Sequence, residues 1–437
     1  MIVIIGAGLA GLTCARELVR EGQRVLVLEA SEQAGGRLRT DRHEDGYRLD
    51  RGFQVLFTAY PAAQRHLNYD NLKPRFFEPG ALLVKAGKLY ELADPWREPK
   101  HILPGMLNPL LSATDKLRVL QLRGKVTRLS TAEIFAGKGQ PGGQDESTEA
   151  YLRRLGFKED SFIANFARPF YGGIFLDRTL STSARMFQFT FKMLATGKVM
   201  LPAEGIRAIP EMLASALPPG SLRYRARVSS ILTEGGKVSG VRLSNGETIA
   251  TQQVVVATDS PSAERLTGRS LPTEARGSVC VYFGGKERLY KQRKILLNTA
   301  PDAYVNNAVL LSNIAPTYAP PRRHLLSATI ISPGTNDEEL IAERALNEMA
   351  AWFPKHNLNA WQMLGVYRLP FSQLVQAPGF FDSVPANTTA TQGLYLAGEY
   401  TTSSSIHGAM HSGEHAAKAV LKGLVAEEKA QQPQISL

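Results

Sequence analysis

The sequence predicts an α/β protein: a doubly wound parallel sheet joined to a second, mixed α+β part. Three observations predict it. The chain opens on strand, glycine turn, helix and strand within its first thirty residues. Val254-Val255-Val256-Ala257-Thr258 is β-branched and uncharged, as in strands buried on both faces of a parallel sheet. Near the far end, Gly393-Leu394-Tyr395-Leu396-Ala397 is another apolar strand, and it runs straight into Gly398-Glu399.

Ile2 to Ile5 is the first strand and Gly6-Ala7-Gly8-Leu9-Ala10-Gly11 the turn. A helical pattern follows from Leu12 to Glu21, Gly22 breaks it, and Arg24 to Leu28 is the second strand, ending in Glu29-Ala30. This is the dinucleotide-binding fingerprint in its full βαβ context. Gly6 permits the tight turn, Gly8 admits a pyrophosphate, and Gly11 brings the helix close to the sheet, a contact that small Ala15 suits. The helix N-terminus offers N–H groups and partial positive charge to phosphate. Glu29 lies 18 residues beyond Gly11, near the ~20 expected of an acid that binds a ribose. Next comes Gly35-Gly36-Arg37-Leu38-Arg39-Thr40, where two glycines allow close approach and two arginines supply donors for a diphosphate.

The order GxGxxG, distal acid and Gly-Gly-Arg turn resembles the flavin amine oxidase superfamily. That group includes monoamine and polyamine oxidases, protoporphyrinogen oxidase, phytoene desaturases and carotenoid isomerases. The resemblance implies a Rossmann-like FAD-binding domain and a substrate-binding domain, with FAD as cofactor. Further segments extend it. Asp50-Arg51-Gly52-Phe53-Gln54 is similar to a family segment near the flavin ring. Arg168-Pro169-Phe170-Tyr171-Gly172-Gly173-Ile174-Phe175-Leu176-Asp177 resembles a segment of the desaturase-like branches. Pro202 to Pro210 resembles the stretch that returns to the FAD domain, and Val228 matches a residue whose backbone meets the adenine. Leu396-Ala397-Gly398-Glu399 with Gly408-Ala409-Met410-His411-Ser412-Gly413 resembles the closing signature. There Glu399 is expected to accept from the ribitol, and N–H groups near Ala409 and Met410 to face the flavin. The implied FAD-binding domain is 1–60, 200–265 and 380–437; 61–199 and 266–379 form the substrate domain.

Other elements follow from pattern. A hairpin spans 81–92 with a turn at Ala86-Gly87, and a helix spans Ser112 to Arg128. Gly137–Gly143 reads as a mobile loop, and Thr148 as the cap of a short helix ending at Leu155. A helix is expected from Pro210 to Leu217. Strands are expected at 223–232, 237–243 and 247–250, and another at 278–283. Residues 337–353 form an amphipathic helix with Leu340, Leu346 and Met349 on its apolar face. Gly-broken 168–177 reads as a poor helix, and the aromatics from Phe187 to Phe191 as core or as the wall of an apolar tunnel.

Composition narrows the class. The chain has 437 residues, 43% hydrophobic and 21% charged, as in ordinary globular proteins. Two cysteines, Cys14 and Cys280, exclude a disulfide framework, and no zinc spacing exists. No signal peptide or transmembrane segment is expected, and the cytoplasm is the expected location. The net charge of +11 is dispersed along the chain, without a nucleic-acid motif, so a nucleic-acid partner is not expected. The basic window 81–130 reads as a solvated face or as peripheral attraction to anionic lipid.

The expected activity is dehydrogenation of an apolar small molecule by hydride transfer to flavin N5, with oxygen or a quinone as final acceptor. Residues 277–283 contain no lysine, where the amine oxidases of the family carry one, which favours the desaturase-like branch. An isomerase without net redox, a true amine oxidase and a non-catalytic FAD-bound scaffold are the alternatives. Ser403-Ser404-Ser405-Ile406-His407 stands where some relatives attach flavin through cysteine, so non-covalent FAD is expected. Tyr400 and His407 are the candidate catalytic side chains, each with packing as the alternative, and His411 is a lesser one.

Overall fold

The computed structural model describes residues 1–93 and 108–431. Five parallel strands form one sheet in the order Leu222–Arg223, Val25–Leu28, Ile2–Ile5, Gln253–Val256, Leu394–Leu396. Three distant stretches of chain thus meet in one sheet. Ile2 and Ile4 pack against helices on one face, and Val3 and Ile5 against Val228 and Val241 on the other. Burial on both faces explains why these strands are unbroken apolar runs. Helix Leu9–Arg20 packs on the closing helix Ile406–Gln431. A Cβ on Gly413 would sit 2.4 Å from Ala10 O, so only glycine fits that crossing.

A seven-stranded mixed sheet lies beside it, in the order Gln362–Leu374, Ala275–Gly285, His324–Ile330, Asn307–Leu310, Ile295–Asn298, Ala81–Lys85, Lys88–Leu92. Val279, Val281 and Phe283 face helix Glu338–Ala350 through Ile341, Ala345 and Met349. The sequence puts Leu340 on that face, yet Leu340 is 42% exposed. The buried positions include Ala342 and Ala345, so close approach by small residues sets the face and overrides the hydrophobicity of a single leucine.

Several local expectations change. Residues 168–175 form a regular helix, continuing a π-helical stretch Glu159–Ala167. Its glycines make room for neighbours: a Cβ on Gly172 would meet Arg178 Cα at 3.0 Å, and one on Gly173 would meet Asn306 Nδ2 at 2.6 Å. Tertiary contact outweighs weak helix propensity here. Ser147, not Thr148, caps helix Thr148–Arg154, accepting from Ala150 N–H at 3.1 Å. Within 137–143, Gly137, Gly139 and Gln140 are buried, with Gly139 O accepting from the buried amide of Gln188, while Lys138, Gly142 and Gly143 are exposed. Helix Ala208–Ser215 starts two residues before Pro210, which occupies its first turn, where a missing N–H costs nothing. The hairpin at 81–92 and the helix Ala113–Arg128, capped by Ser112, form as expected.

Candidate active site

One large cavity, about 2420 Å³, runs between the two sheets. Its lining brings together Gly6, Gly8, Ala10, Glu29, Ala30, Gly36, Arg37 and Val228 with Gly52, Phe53, Gln54, Gly398, Glu399 and Ala409, and with Phe162, Phe166, Phe170 and Phe191. The structure therefore gathers most of the residues singled out in the sequence around one space.

The two glycine turns are held side by side. Gly35 N–H donates to Ala7 O at 2.9 Å, and a Cβ on Gly36 would lie 3.5 Å from Gly8 Cα. No protein atom lies within 4 Å of a Cβ built on Gly8. The open space beside Gly8 and the start of helix Leu9–Arg20 fit a diphosphate. Glu29 is buried; its Oε2 accepts from Ala7 N–H at 2.8 Å and its Oε1 from Ser31 N–H at 2.9 Å. The carboxylate is thereby fixed at the cavity wall with lone pairs to spare for ribose hydroxyls. Glu399 is also buried. Its Oε2 accepts from Ser404 Oγ; Oε1 accepts no hydrogen bond, with Arg37 in ion-pair contact at 2.8 Å. A carboxylate oxygen held in the cavity wall by one ion pair keeps lone pairs for a polyol such as ribitol.

Gln54 ties the second turn to the middle of the cavity, donating to Arg37 O and Arg51 O, each at 3.1 Å. At Gly52 the close neighbour is Leu369, whose Cδ1 would lie 2.4 Å from a Cβ. Gly52 thus makes room for the neighbouring sheet as well as for a ligand. Arg39 is not at the cavity: it donates to Ser31 Oγ at 2.6 Å and braces the loop after Glu29.

Three further expectations are corrected. The closing helix starts at Ile406 rather than Gly408. The first-turn N–H groups belong to Ile406, His407 and Gly408, and Gly408 N–H is taken by Ser405 Oγ at 2.8 Å. Met410 lies in the second turn, fully buried in the apolar core and away from the cavity. Tyr400 is fully buried, and its hydroxyl lies 3.2 Å from both Val256 O and Ala397 O. Tyr400 lines the cavity, but with its hydroxyl turned to backbone the packing alternative describes its contacts. His407 accepts from Ala62 N–H at 3.2 Å, stacks on Tyr60 and packs at a tilt on Phe189. Burial pushes its pKa down to about 3, so it stays neutral and does not line the cavity. His411 binds Glu414 Oε2 at 3.0 Å.

Cys14 and Cys280 are buried thiols, and burial pushes the Cys280 pKa up to about 11, which makes it inert. Tyr60, Asn307 and Thr329 line the cavity and were not singled out in the sequence. For Tyr60 the local signal was the preceding strand and Pro61; for Asn307 and Thr329 no local signal exists, because strand register alone brings them together.

The model of the family described as flavin containing amine oxidoreductase matches residues 9–421. A 15-cis-phytoene desaturase of Capsicum annuum is 25% identical, covering 96% of this chain and 78% of its own. A zeta-carotene desaturase of Synechocystis is 23% identical over 96% of this chain and 97% of its own. Among solved structures, a putative protoporphyrinogen oxidase from Exiguobacterium superposes with a TM-score of 0.72 at 18% identity, covering 97% and 98% of the two chains. A putrescine oxidase gives 0.71 at 16% identity, covering 96% and 98%. With the glycine turns, the two carboxylates and the parallel sheet in place, the chain belongs to the flavin containing amine oxidoreductase family and is a flavin-dependent oxidoreductase.

Proposed function

We propose that the chain holds FAD non-covalently and dehydrogenates a hydrophobic substrate in the same cavity. The observation that carries this reading is the continuity of one cavity from the glycine turns to a sleeve of phenylalanines. The FAD-binding part would be 1–60, 200–265 and 380–437, and the intervening stretches the substrate part. Gly6, Gly8, Ala10 and Gly36 would take the diphosphate, with Gly11 supporting the turn from behind. Glu29 and Ala30 would take the adenosine ribose, Val228 the adenine, and Glu399 with Arg37 the ribitol. Gly52, Phe53, Gln54, Gly398 and Ala409 would flank the ring. Bound there, FAD supplies the acceptor for a hydride through its N5.

The chain's own residues bind, orient and exclude water. Phe162, Phe166, Phe170 and Phe191 give the substrate an apolar, water-free channel. Ser278 faces the cavity on strand Ala275–Gly285, which carries no lysine between 277 and 283. This argues for carbon–carbon dehydrogenation over amine oxidation, with oxygen or a quinone closing the cycle. Isomerisation without net redox is the second reading, because the same channel would serve it.

The purified protein should be yellow, and denaturation should release all its flavin as FAD into the filtrate. A chain whose mass keeps the flavin after denaturation would overturn non-covalent binding. Peroxide release with aliphatic amines would overturn the dehydrogenase reading in favour of an amine oxidase.

Leu117 and Leu120 are 56% and 37% exposed on helix Ala113–Arg128, whose Lys116 and Arg123 line the cavity. Among the described residues no helix is long and apolar enough to cross a membrane. We read this face as a peripheral contact with anionic lipid through which an apolar substrate enters. Co-sedimentation with anionic vesicles should fall severalfold in Leu117→Asp; unchanged sedimentation would remove the idea. Residues 94–107 of the same basic window lie outside the described residues.

A further inference from the structure

Glu399 is tied twice to one short stretch of the seven-stranded sheet. Arg37 Nη1 contacts Glu399 Oε1 at 2.8 Å and donates to Ser372 O, also at 2.8 Å. On the other side, Ser404 Oγ donates to Glu399 Oε2 and accepts from Leu374 N–H at 3.1 Å. Each carboxylate oxygen thus reaches strand Gln362–Leu374 through one intermediary. Ser404 N–H also donates to Gln376 Oε1 at 2.8 Å, just beyond that strand. Glu399, Ser404, Leu374 and Gln376 are all buried, so water does not compete for these bonds.

The same stretch is tied outward to the helices that carry the aromatic wall. Gln373 Nε2 donates to Ile174 O at 2.8 Å, near the end of helix Arg168–Phe175, which carries Phe170. Gln376 O accepts from Ser183 N–H at 2.8 Å, at the cap of helix Ala184–Thr196, which carries Phe191. Phe170 and Phe191 line the cavity, and so do Phe371, Ser372 and Gln373.

Strand register shows why this stretch depends on those ties. Arg276 pairs with Gln373 and Ser278 with Leu369, so Pro370, Phe371 and Ser372 stand opposite Gly277 alone. A Cβ on Gly277 would lie 2.8 Å from Leu369 O and 3.0 Å from Pro370 O, so the irregularity closes on glycine. A bulge interrupts the ladder and re-aims side chains. Arg37 meets the re-aimed segment a second time, with its guanidinium 5.9 Å from the centre of the Phe371 ring.

We propose that residues 371–376 couple the flavin and substrate sites, with Ser404 as the positioning residue between them, so that each ligand tightens the other. A ribitol held by Glu399 and Arg37 fixes the stretch from one side. An apolar chain lying against Phe371 and Gln373 fixes it from the other. The first ligand orders the stretch and the second finds it ordered, which is positive coupling without a change of fold. The coupling rests on the preceding reading, which puts both ligands in this cavity.

The test uses the FAD-loaded full-length protein and diphenylhexatriene, a fluorescent hydrocarbon polyene. Equilibrium dialysis reads the FAD dissociation constant with and without saturating diphenylhexatriene. The polyene should lower that constant about fivefold, a modest factor for coupled sites, and should slow amide exchange at 371–376. Ser404→Ala should bring the factor to within about twofold; a purely local weakening of the flavin site would cancel from the cycle and leave the factor unchanged. If that variant does not fold, Gln373→Leu, which cuts the tie to Ile174, decides by the same factor. A factor of one or less in the wild type, or a factor kept in the folded variants, would overturn the coupling alone. A protein that holds no FAD, or no diphenylhexatriene, would overturn the preceding reading and the coupling with it.

Discussion

Gly11→Ala should give a protein that no longer retains flavin through purification and melts several degrees lower. A Cβ at Gly11 would lie 2.0 Å from Gly6 O and 3.2 Å from Ala257 Cβ. Neither neighbour can yield easily. Gly6 sits at φ +106° and its N–H donates to Leu28 O at 2.8 Å. The helix must therefore lift off the sheet, at about 1–3 kcal/mol for an overpacked contact. That displacement also carries the N–H groups of Leu9 and Ala10 away from the cavity. Gly8→Ala provides the contrast. A methyl there meets no protein atom within 4 Å, and Gly8 at φ −76° is in a region open to alanine. Its melting temperature should stay at wild type while FAD affinity falls at least tenfold. FAD titration with differential scanning calorimetry separates the two. Equal losses of stability in both variants would show that Gly8 serves packing and not cofactor approach.

Asp50→Ala should cost several kcal/mol, at about 1–3 kcal/mol for each buried donor left without its partner. Asp50 Oδ1 accepts from Thr40 Oγ1 at 2.5 Å and from Ile206 N–H at 3.0 Å, and Oδ2 accepts from Tyr318 Oη at 2.8 Å. Tyr282 Oη donates to Asp50 O at 2.7 Å. One residue thus ties the strands at 40–50 to the start of the helix near 208 and to the larger sheet, just before Gly52. Alanine would strand three donors in the core. Burial raises the Asp50 pKa to about 6 against the lowering effect of its three donors. The folded state therefore holds this proton more firmly than the unfolded chain. Its contribution is largest at low pH and declines as pH rises from about 4 to 6. Asp50→Asn should flatten that part of the wild-type stability curve, measured by urea unfolding across the window. An unchanged slope would mean the carboxyl is ionised throughout.

The nucleotide end of the cavity was legible in the sequence because its demands are local. A tight turn, a close backbone and an acid at the strand end must sit at fixed spacings, and Gly6, Gly8, Glu29, Gly36 and Glu399 do. The parallel strands were legible for a related reason, since burial on both faces forbids alternation. The helix at 168–175 was not. Its glycines answer to Arg178 and Asn306, which local pattern does not connect to it. Asn307 and Thr329 were invisible because only cross-strand register brings them together on the cavity wall. Tyr400 and His407 each lie beside a motif, but tertiary packing, which local pattern does not carry, turns the Tyr400 hydroxyl to Val256 O and stacks the His407 ring on Tyr60.

The most direct test is anaerobic mixing of the FAD-loaded protein with a polyene or an oxygenated polyene, followed in the visible flavin band. Bleaching in one turnover is expected, matched by a product with one more double bond. A yellow protein that converts the polyene to an isomer with no bleaching, or that bleaches only with amines, would contradict it.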